Sequence, residues 1–208
     1  MFIMTGEVSS AMTYYSDLPH QARRVSSSLS EWRLNASWQE KTAYAFLFAL
    51  LTAMAAQVRF LLPFTPVPFT GQVLVVLLGA IVLGRFGGVS QVMYLGMGAT
   101  FGWFTGMVGM AAFVGVTGGY LIGFVAASFL IGELVERRKQ WSMASILLML
   151  SAASLLILFL GSIWLVGVLH ISLAQALLLG AVPFLTVEAF KVVLAAAGAR
   201  LFLPMRGG

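Results

Sequence analysis

Two opposite charges, Glu188 and Lys191, interrupt the last long apolar stretch of the chain. Residues at positions i and i+3 share one face of a helix, so this carboxylate and ammonium can meet. Each charge costs about 2.5–3.5 kcal/mol at the centre of a membrane and less near its surface. The two groups either pair only with each other or hold a polar ligand. Because apolar residues outperform a self-satisfied buried pair, the pattern favours a ligand site.

Neutral hydrogen-bonding side chains and one more cation complete the candidate site. Apolar walls with a few placed polar groups are the usual make-up of a small-molecule pocket. The cation, Arg59, is either an arginine that snorkels to the interface or a contact for a ligand anion. The candidate ligand-binding residues are Glu188, Lys191, Gln72, Thr70, Thr117, Tyr120 and Arg59.

The residue types that catalysis and metal binding require are absent or far apart. The chain has no cysteine, and His20 and His170 are its only histidines. These counts exclude thiolate ligands, a histidine metal cage and a histidine-paired serine nucleophile. The phosphate-binding pattern Gly-x-x-x-x-Gly-Lys-Ser/Thr is also missing from the sequence. We therefore predict no enzyme activity, no metal site and no bound cofactor.

The composition is that of a protein that crosses a membrane several times. Of the 208 residues, 60% are hydrophobic and only 9% are charged, and the mean hydropathy is +0.97. The second and third apolar runs are shorter than the roughly 20 residues that span a bilayer. We predict an all-α integral membrane protein with six transmembrane helices, at Tyr44–Leu62, Gln72–Gly84, Val89–Phe101, Gly118–Leu134, Ser142–Val168 and Phe184–Leu203.

Basic residues alternate along the connections between these helices. They precede the first helix, lie between the second and third, follow the fourth and close the sixth. By the positive-inside rule, this alternation places the N and C termini in the cytoplasm and the chain in the cell membrane. The sequence pI near 10 then reflects contact with anionic lipids, and we predict no nucleic-acid partner.

Residues 1–41 are predicted to form a polar cytoplasmic tail, and residues 42–208 the membrane domain. The tail lacks the apolar core of a signal peptide. Its Arg-Arg-Val-Ser-Ser-Ser run is also found in transit peptides, but several acidic residues favour the cytoplasmic tail. The stretch Leu29–Trp38 predicts a short amphipathic helix on the inner membrane surface.

Three connections on the outer side carry structural signals. Three prolines exclude a helix at Pro63–Thr70 and predict a stiff, extended loop. Six glycines with large aromatic residues at Gly102–Gly119 predict a compact loop that could cap a cavity. The apolar stretch Ile171–Pro183 predicts a short re-entrant or surface helix that ends at the proline. The start of the last helix then lies near the outer face, so Glu188 is reachable by a ligand.

Small residues recur at four-residue spacing in the first helix, at Ala45, Ala49 and Ala53. Such a row lets another helix pack closely. The other helix can belong to this chain or to a partner subunit.

Several motifs occur together along the apolar part of the chain: Pro63–Gln72, Leu77–Ala80, Leu83–Gly84, Gly118–Phe124, and Pro183–Phe184 followed by an acid and a lysine three apart. Together they resemble the BioY family, the biotin-binding S components of energy-coupling-factor (ECF) transporters. The last helix departs from the family, which usually has Pro-Gly-Asp where this chain has Leu185-Thr186-Val187-Glu188. The loop before Gly118 reads Gly-Val-Thr in place of Gly-Pro-Thr.

The resemblance implies a six-helix S-component fold with biotin bound under the outer loops. It implies that Glu188 accepts from the ureido N–H groups and that Lys191 donates to the ureido carbonyl or pairs with the carboxylate. Trp103, Phe104 and Tyr120 would line the slot for the ring. The implied partners are the lipid membrane, ATPase subunits in separate chains, and a coupling subunit that contacts Ala45, Ala49 and Ala53. The alternatives are an S component or small transporter for another vitamin, and a membrane scaffold without transport.

Overall fold

The computed structural model describes Val25, residues 27–104 and residues 109–206. The described chain is mostly helical, which confirms the predicted fold class. A short helix α1 (residues 27–35) comes first. The later helices are α2 (Trp38–Gln57), α3 (Gln72–Leu83), α4 (Phe86–Phe101), α5 (Ala111–Val114), α6 (Gly118–Arg137), α7 (Met143–Leu169), α8 (Leu173–Gly180) and α9 (Leu185–Phe202).

Local hydrogen bonds explain where several helices begin and end. Ser37 and Glu40 form a capping box at the start of α2, with Ser37 N donating to Glu40 Oε2 over 2.8 Å. The same arrangement, between Ser172 and Gln175, starts α8. Helix α3 ends at Gly84, whose φ of 62° is a conformation that favours glycine. The capping box places the start of α2 at Trp38, six residues before the predicted start at Tyr44.

Three helical stretches among the described residues are long and apolar enough to cross a membrane. They are Gly118–Arg137, Met143–Leu169 and the nearly continuous Leu173–Phe202, while Gln72–Leu83 is apolar but shorter. The chain is therefore a multi-pass membrane protein. The count of six spans and the cytoplasmic termini remain predictions.

The first outer connection contains a small β-ribbon that was not predicted. Strands β1 (Arg59–Phe60) and β2 (Phe69–Thr70) pair antiparallel, with Arg59 opposite Thr70. Helix α2 consequently ends at Gln57 instead of Leu62. The prolines lie in the connection between the strands, as the extended loop requires. The ribbon ends at Thr70, two residues before α3 begins at Gln72.

The alanine row of α2 is buried inside the chain. Ala45 and Ala49 have no exposed surface, and Ala53 is 8% exposed. They share their face with buried Thr52, whose hydroxyl accepts a hydrogen bond from Gln91 Nε2 of α4. The small side chains let α2 pack closely against α4. Internal packing thus accounts for the spacing of these alanines. Their contact with a coupling subunit stays a prediction.

Helix α1 is tied to the membrane domain by Arg33. Its Nη2 donates to the carbonyl oxygen of Ile81 over 2.7 Å, and its Nε donates to that of Val82 over 3.1 Å. Both carbonyls belong to the last turn of α3, where intrahelical donors are lacking. Burial lowers the pKa of Arg33 to about 10. The predicted amphipathic helix is found, although it ends at residue 35, before Trp38.

Helices α6 and α7 pack closely against each other, because glycine removes the side chain at their contact. A Cβ at Gly123 of α6 would lie 2.9 Å from the Cα of Ile157 on α7. This contact leaves no room for a methyl group. It also sets the distance between the two helices that form one wall of the pocket described next.

Candidate functional site

A narrow pocket lies between α3, α4, α6, α7 and α9, under the connection between α2 and α3 and the segment between α8 and α9. Its cavity volume is about 50 Å³, which is room for a few water molecules. Apolar side chains, among them Phe124, Ile157 and Leu158, form most of its wall. Seven of the predicted residues line this one pocket: Thr70, Gln72, Phe104, Thr117, Tyr120, Glu188 and Lys191.

The two charges of α9 pair with each other at the pocket wall. Lys191 Nζ lies 2.6 Å from Glu188 Oε1, and the side chains are 11% and 7% exposed. The other carboxylate oxygen, Oε2, accepts a hydrogen bond of 3.0 Å from Ser154 Oγ of α7. Since α9 begins at Leu185, Glu188 lies in its first turn, where the helix dipole favours a negative charge.

A second polar pair lies on α3 and α4. Gln72 is the first residue of α3, and its Nε2 donates to the hydroxyl of Tyr94 over 2.7 Å. Tyr94 is fully buried, and its ring meets Phe104 edge-on at 5.4 Å between centroids. A buried tyrosine needs a partner for its hydroxyl, and Gln72 supplies one. Both residues line the pocket.

The roof of the pocket is made by β2 and the segment between α8 and α9. Phe69 stacks on Phe184 with 4.3 Å between ring centroids. The hydroxyl of Thr65 donates to the carbonyl oxygen of Leu179 over 2.7 Å, and that of Tyr120 donates to Gly180 over the same distance. These bonds satisfy carbonyls at the end of α8. The predicted short helix before Pro183 is therefore present and covers the site.

Two predicted site residues do not line the pocket. Arg59 is exposed on β1, which fits an arginine at the interface better than a ligand contact. Trp103 is half-buried and packs against Phe101 with 5.6 Å between ring centroids. Its neighbour Phe104, which was predicted to line the slot together with Trp103, does line the pocket. The loop residues 105–108 lie outside the described part of the chain.

Sequence reasoning missed Tyr94, Ser154 and Phe184. Tyr94 and Ser154 are each one of several polar groups in a largely apolar helix, and only their neighbours in space reveal what they bind. The one available signal for Tyr94 is its spacing, because it shares the buried face of α4 with Gln91 and Gly98. Among the described residues, no group of three or more His, Cys, Asp or Glu side chains could hold a metal ion.

A separate ion network lies at the opposite end of the bundle from the pocket. Arg85, between α3 and α4, forms salt bridges with Glu133 and Glu136 near the end of α6. The hydrogen bond from Arg85 to Glu133 raises the pKa of the guanidinium. Because Arg85 is largely exposed, this network contributes little to stability.

Sequence and structure comparisons agree with this arrangement. A family model described as the BioY family matches residues 26–207. The chain belongs to the BioY family. The match begins at residue 26, ahead of Pro63–Gln72, the first of the motifs that carry the resemblance.

Two biotin transporters from other organisms are similar to most of this chain. It is 35% identical over 159 residues to the biotin transporter BioY of Thermotoga maritima, covering 73% of this chain and 89% of the relative. It is 34% identical over 154 residues to the probable biotin transporter BioY of Pyrococcus horikoshii, covering 72% and 87%.

The fold is also that of a solved S component. The structure superimposes with a TM-score of 0.70 on the crystal structure of the S-component for biotin from an ECF-type ABC transporter. The match covers 80% of this chain and 92% of the other at 24% identity. At this identity the match supports the fold alone.

Proposed function

We propose that this BioY chain binds biotin with high affinity and takes it up across the cytoplasmic membrane as the substrate-specific subunit of an ECF-type transporter. The observation that carries the proposal is the Glu188–Lys191 pair in the wall of a pocket under the outer connections. The names of the relatives support biotin as the ligand.

The pocket offers what biotin needs at both of its polar ends. The ureido N–H groups require acceptors, and Glu188 oxygens can accept more than one hydrogen bond each. The ureido carbonyl and the carboxylate require donors, and Lys191 Nζ has three hydrogens, of which Glu188 takes one. Phe124, Ile157 and Leu158 supply apolar surface for the ring and its sulfur. A charged ligand group would share Lys191 with Glu188.

The narrow pocket means that the roof must move when biotin binds. The volume for a few waters is too small for a bicyclic ligand with its side chain. The stacked pair Phe69 and Phe184 connects the two roof segments. Separation of these rings would widen the site.

Energy for uptake comes from other chains in this proposal. The sequence has no phosphate-binding loop. A coupling subunit and ATPase subunits would supply ATP hydrolysis, while this chain binds biotin and acts neither as an enzyme nor with a cofactor.

Calorimetric titration of the purified chain with biotin tests the site. A hydrogen bond to a charged group is worth about 1.5–3 kcal/mol, so Lys191→Ala and Glu188→Ala should each weaken binding roughly ten- to a hundredfold. Arg59→Ala is the matched control, because it removes a cation that does not line the pocket, and it should bind like the unmodified chain.

The double variant Glu188→Gln with Lys191→Met distinguishes a ligand site from a self-satisfied pair. A pair that served only itself could be replaced by neutral residues without loss of binding. Near-native biotin affinity in the double variant would exclude the ligand site. If a different vitamin and not biotin stabilised the chain against unfolding, the proposed substrate would be wrong while the ligand site would stand.

A further inference from the structure

Ser154 contacts the Glu188–Lys191 pair from outside the pocket. It lies on α7, one turn before Ile157 and Leu158, which line the pocket. The serine itself is 3% exposed and does not line the pocket. Its Oγ donates to Glu188 Oε2 over 3.0 Å. The Ser154 hydroxyl therefore contacts the Glu188 carboxylate on the side away from the pocket.

The two oxygens of Glu188 have partners on different helices. Lys191, the partner of Oε1, belongs to α9 like Glu188 itself, so that ion pair moves with the helix. Ser154, the partner of Oε2, belongs to α7. Of these two contacts, only the bond to Ser154 fixes the carboxylate relative to the rest of the pocket.

The hydroxyl of Ser154 is committed to this contact. A serine within a helix often donates to the carbonyl oxygen four residues earlier, in its own helix. A hydroxyl has a single hydrogen, and that of Ser154 is directed to Glu188. Bonds between a neutral donor and a carboxylate are stronger than those between neutral groups. The contact thus restrains a side chain that otherwise has several rotamers.

We propose that Ser154 is a positioning residue for biotin binding. It holds the Glu188 carboxylate, and through it the Lys191 ammonium, in the orientation that meets the polar atoms of the ligand. The inference rests on the proposed function, because it concerns the same site.

The test measures biotin affinity by calorimetry on the full chain and on single variants. Loss of the restraining bond in Ser154→Ala should weaken binding about 5- to 30-fold. Ser154→Thr keeps the hydroxyl and should recover most of the affinity. Ser128→Ala is the matched control, since Ser128 is a fully buried serine on α6 whose hydroxyl has no partner among the described residues. Its affinity should stay within about twofold of the unmodified chain.

A double variant separates positioning from packing. In a Glu188→Ala background, Ser154→Ala should cause no further loss, because the partner it positions is gone. An equal loss in both backgrounds would mean that Ser154 acts through packing, which would overturn the inference. Unchanged affinity in Ser154→Ala would overturn it too, while the proposed function would stand. Failure of the unmodified chain to bind biotin would overturn both.

Discussion

The hydroxyl of Tyr120 donates a hydrogen bond of 2.7 Å to the carbonyl oxygen of Gly180, so a side chain of the pocket wall holds the end of the roof helix α8. The tyrosine fits because two glycines make room for it. A Cβ at Gly161 of α7 would overlap its ring, and one at Gly180 would overlap its hydroxyl. After α8, the chain passes through a short 3-10 turn into α9 and Glu188. Displacement of Tyr120 should therefore disturb both the roof and the charged pair.

We predict that Gly161→Ala lowers stability and weakens biotin binding. The added methyl group overpacks the contact with Tyr120, which typically costs about 1–3 kcal/mol. Gly167→Ala is the control on the same helix, because a Cβ built there meets no atom within 4 Å other than its own residue, its chain neighbours and the nearby backbone of its own helix. Thermal unfolding and biotin titration of both variants provide the comparison. Equal behaviour of the two variants would show that Tyr120 adapts without loss.

A second prediction concerns the alanine row of α2. Ala49→Trp should destabilise the isolated chain, since residue 49 has no exposed surface and faces a neighbouring helix. Met54→Trp on the same helix should have little effect, because Met54 is 68% exposed. Thermal unfolding of both variants in detergent, without any partner subunit, measures the difference. A stable Ala49→Trp chain that fails only to assemble with a coupling subunit would instead support the predicted contact between the alanine row and that subunit.

Local signals in the sequence were sufficient for the bounds of α3 and for the charged pair. Gln72–Gly84 was predicted to within one residue, because an apolar run ends there at a glycine that the turn requires. Glu188 and Lys191 were found because charges in an apolar run carry a cost that needs an explanation.

Contacts between distant segments could not be predicted in the same way. Four-residue spacing shows that Ala49 packs closely against a helix, but not which helix. Ser154 has the sequence context of many other serines in apolar helices, and only the neighbouring α9 gives it a role. The β-ribbon depends on pairing across a connection of eight residues, 61–68, that includes three prolines and has no alternating pattern.

The last prediction concerns the orientation of the chain in the membrane. The C-terminal end and the connection between α6 and α7 lie on the same side, because Trp141 N donates to the Pro204 carbonyl over 2.9 Å and Arg206 N donates to the Trp141 carbonyl over 2.8 Å. That connection carries Arg137, Arg138 and Lys139, so the positive-inside rule places both segments in the cytoplasm.

Single cysteines in this naturally cysteine-free chain measure that orientation. Lys139→Cys, at an exposed position, should react with a membrane-impermeant thiol reagent only after the cells are opened. Phe64→Cys is the control on the other side, since Phe64 is 59% exposed in the connection between β1 and β2. It should react in intact cells. Labelling of Lys139→Cys from outside would contradict the orientation, and with it the position of the biotin pocket at the outer face.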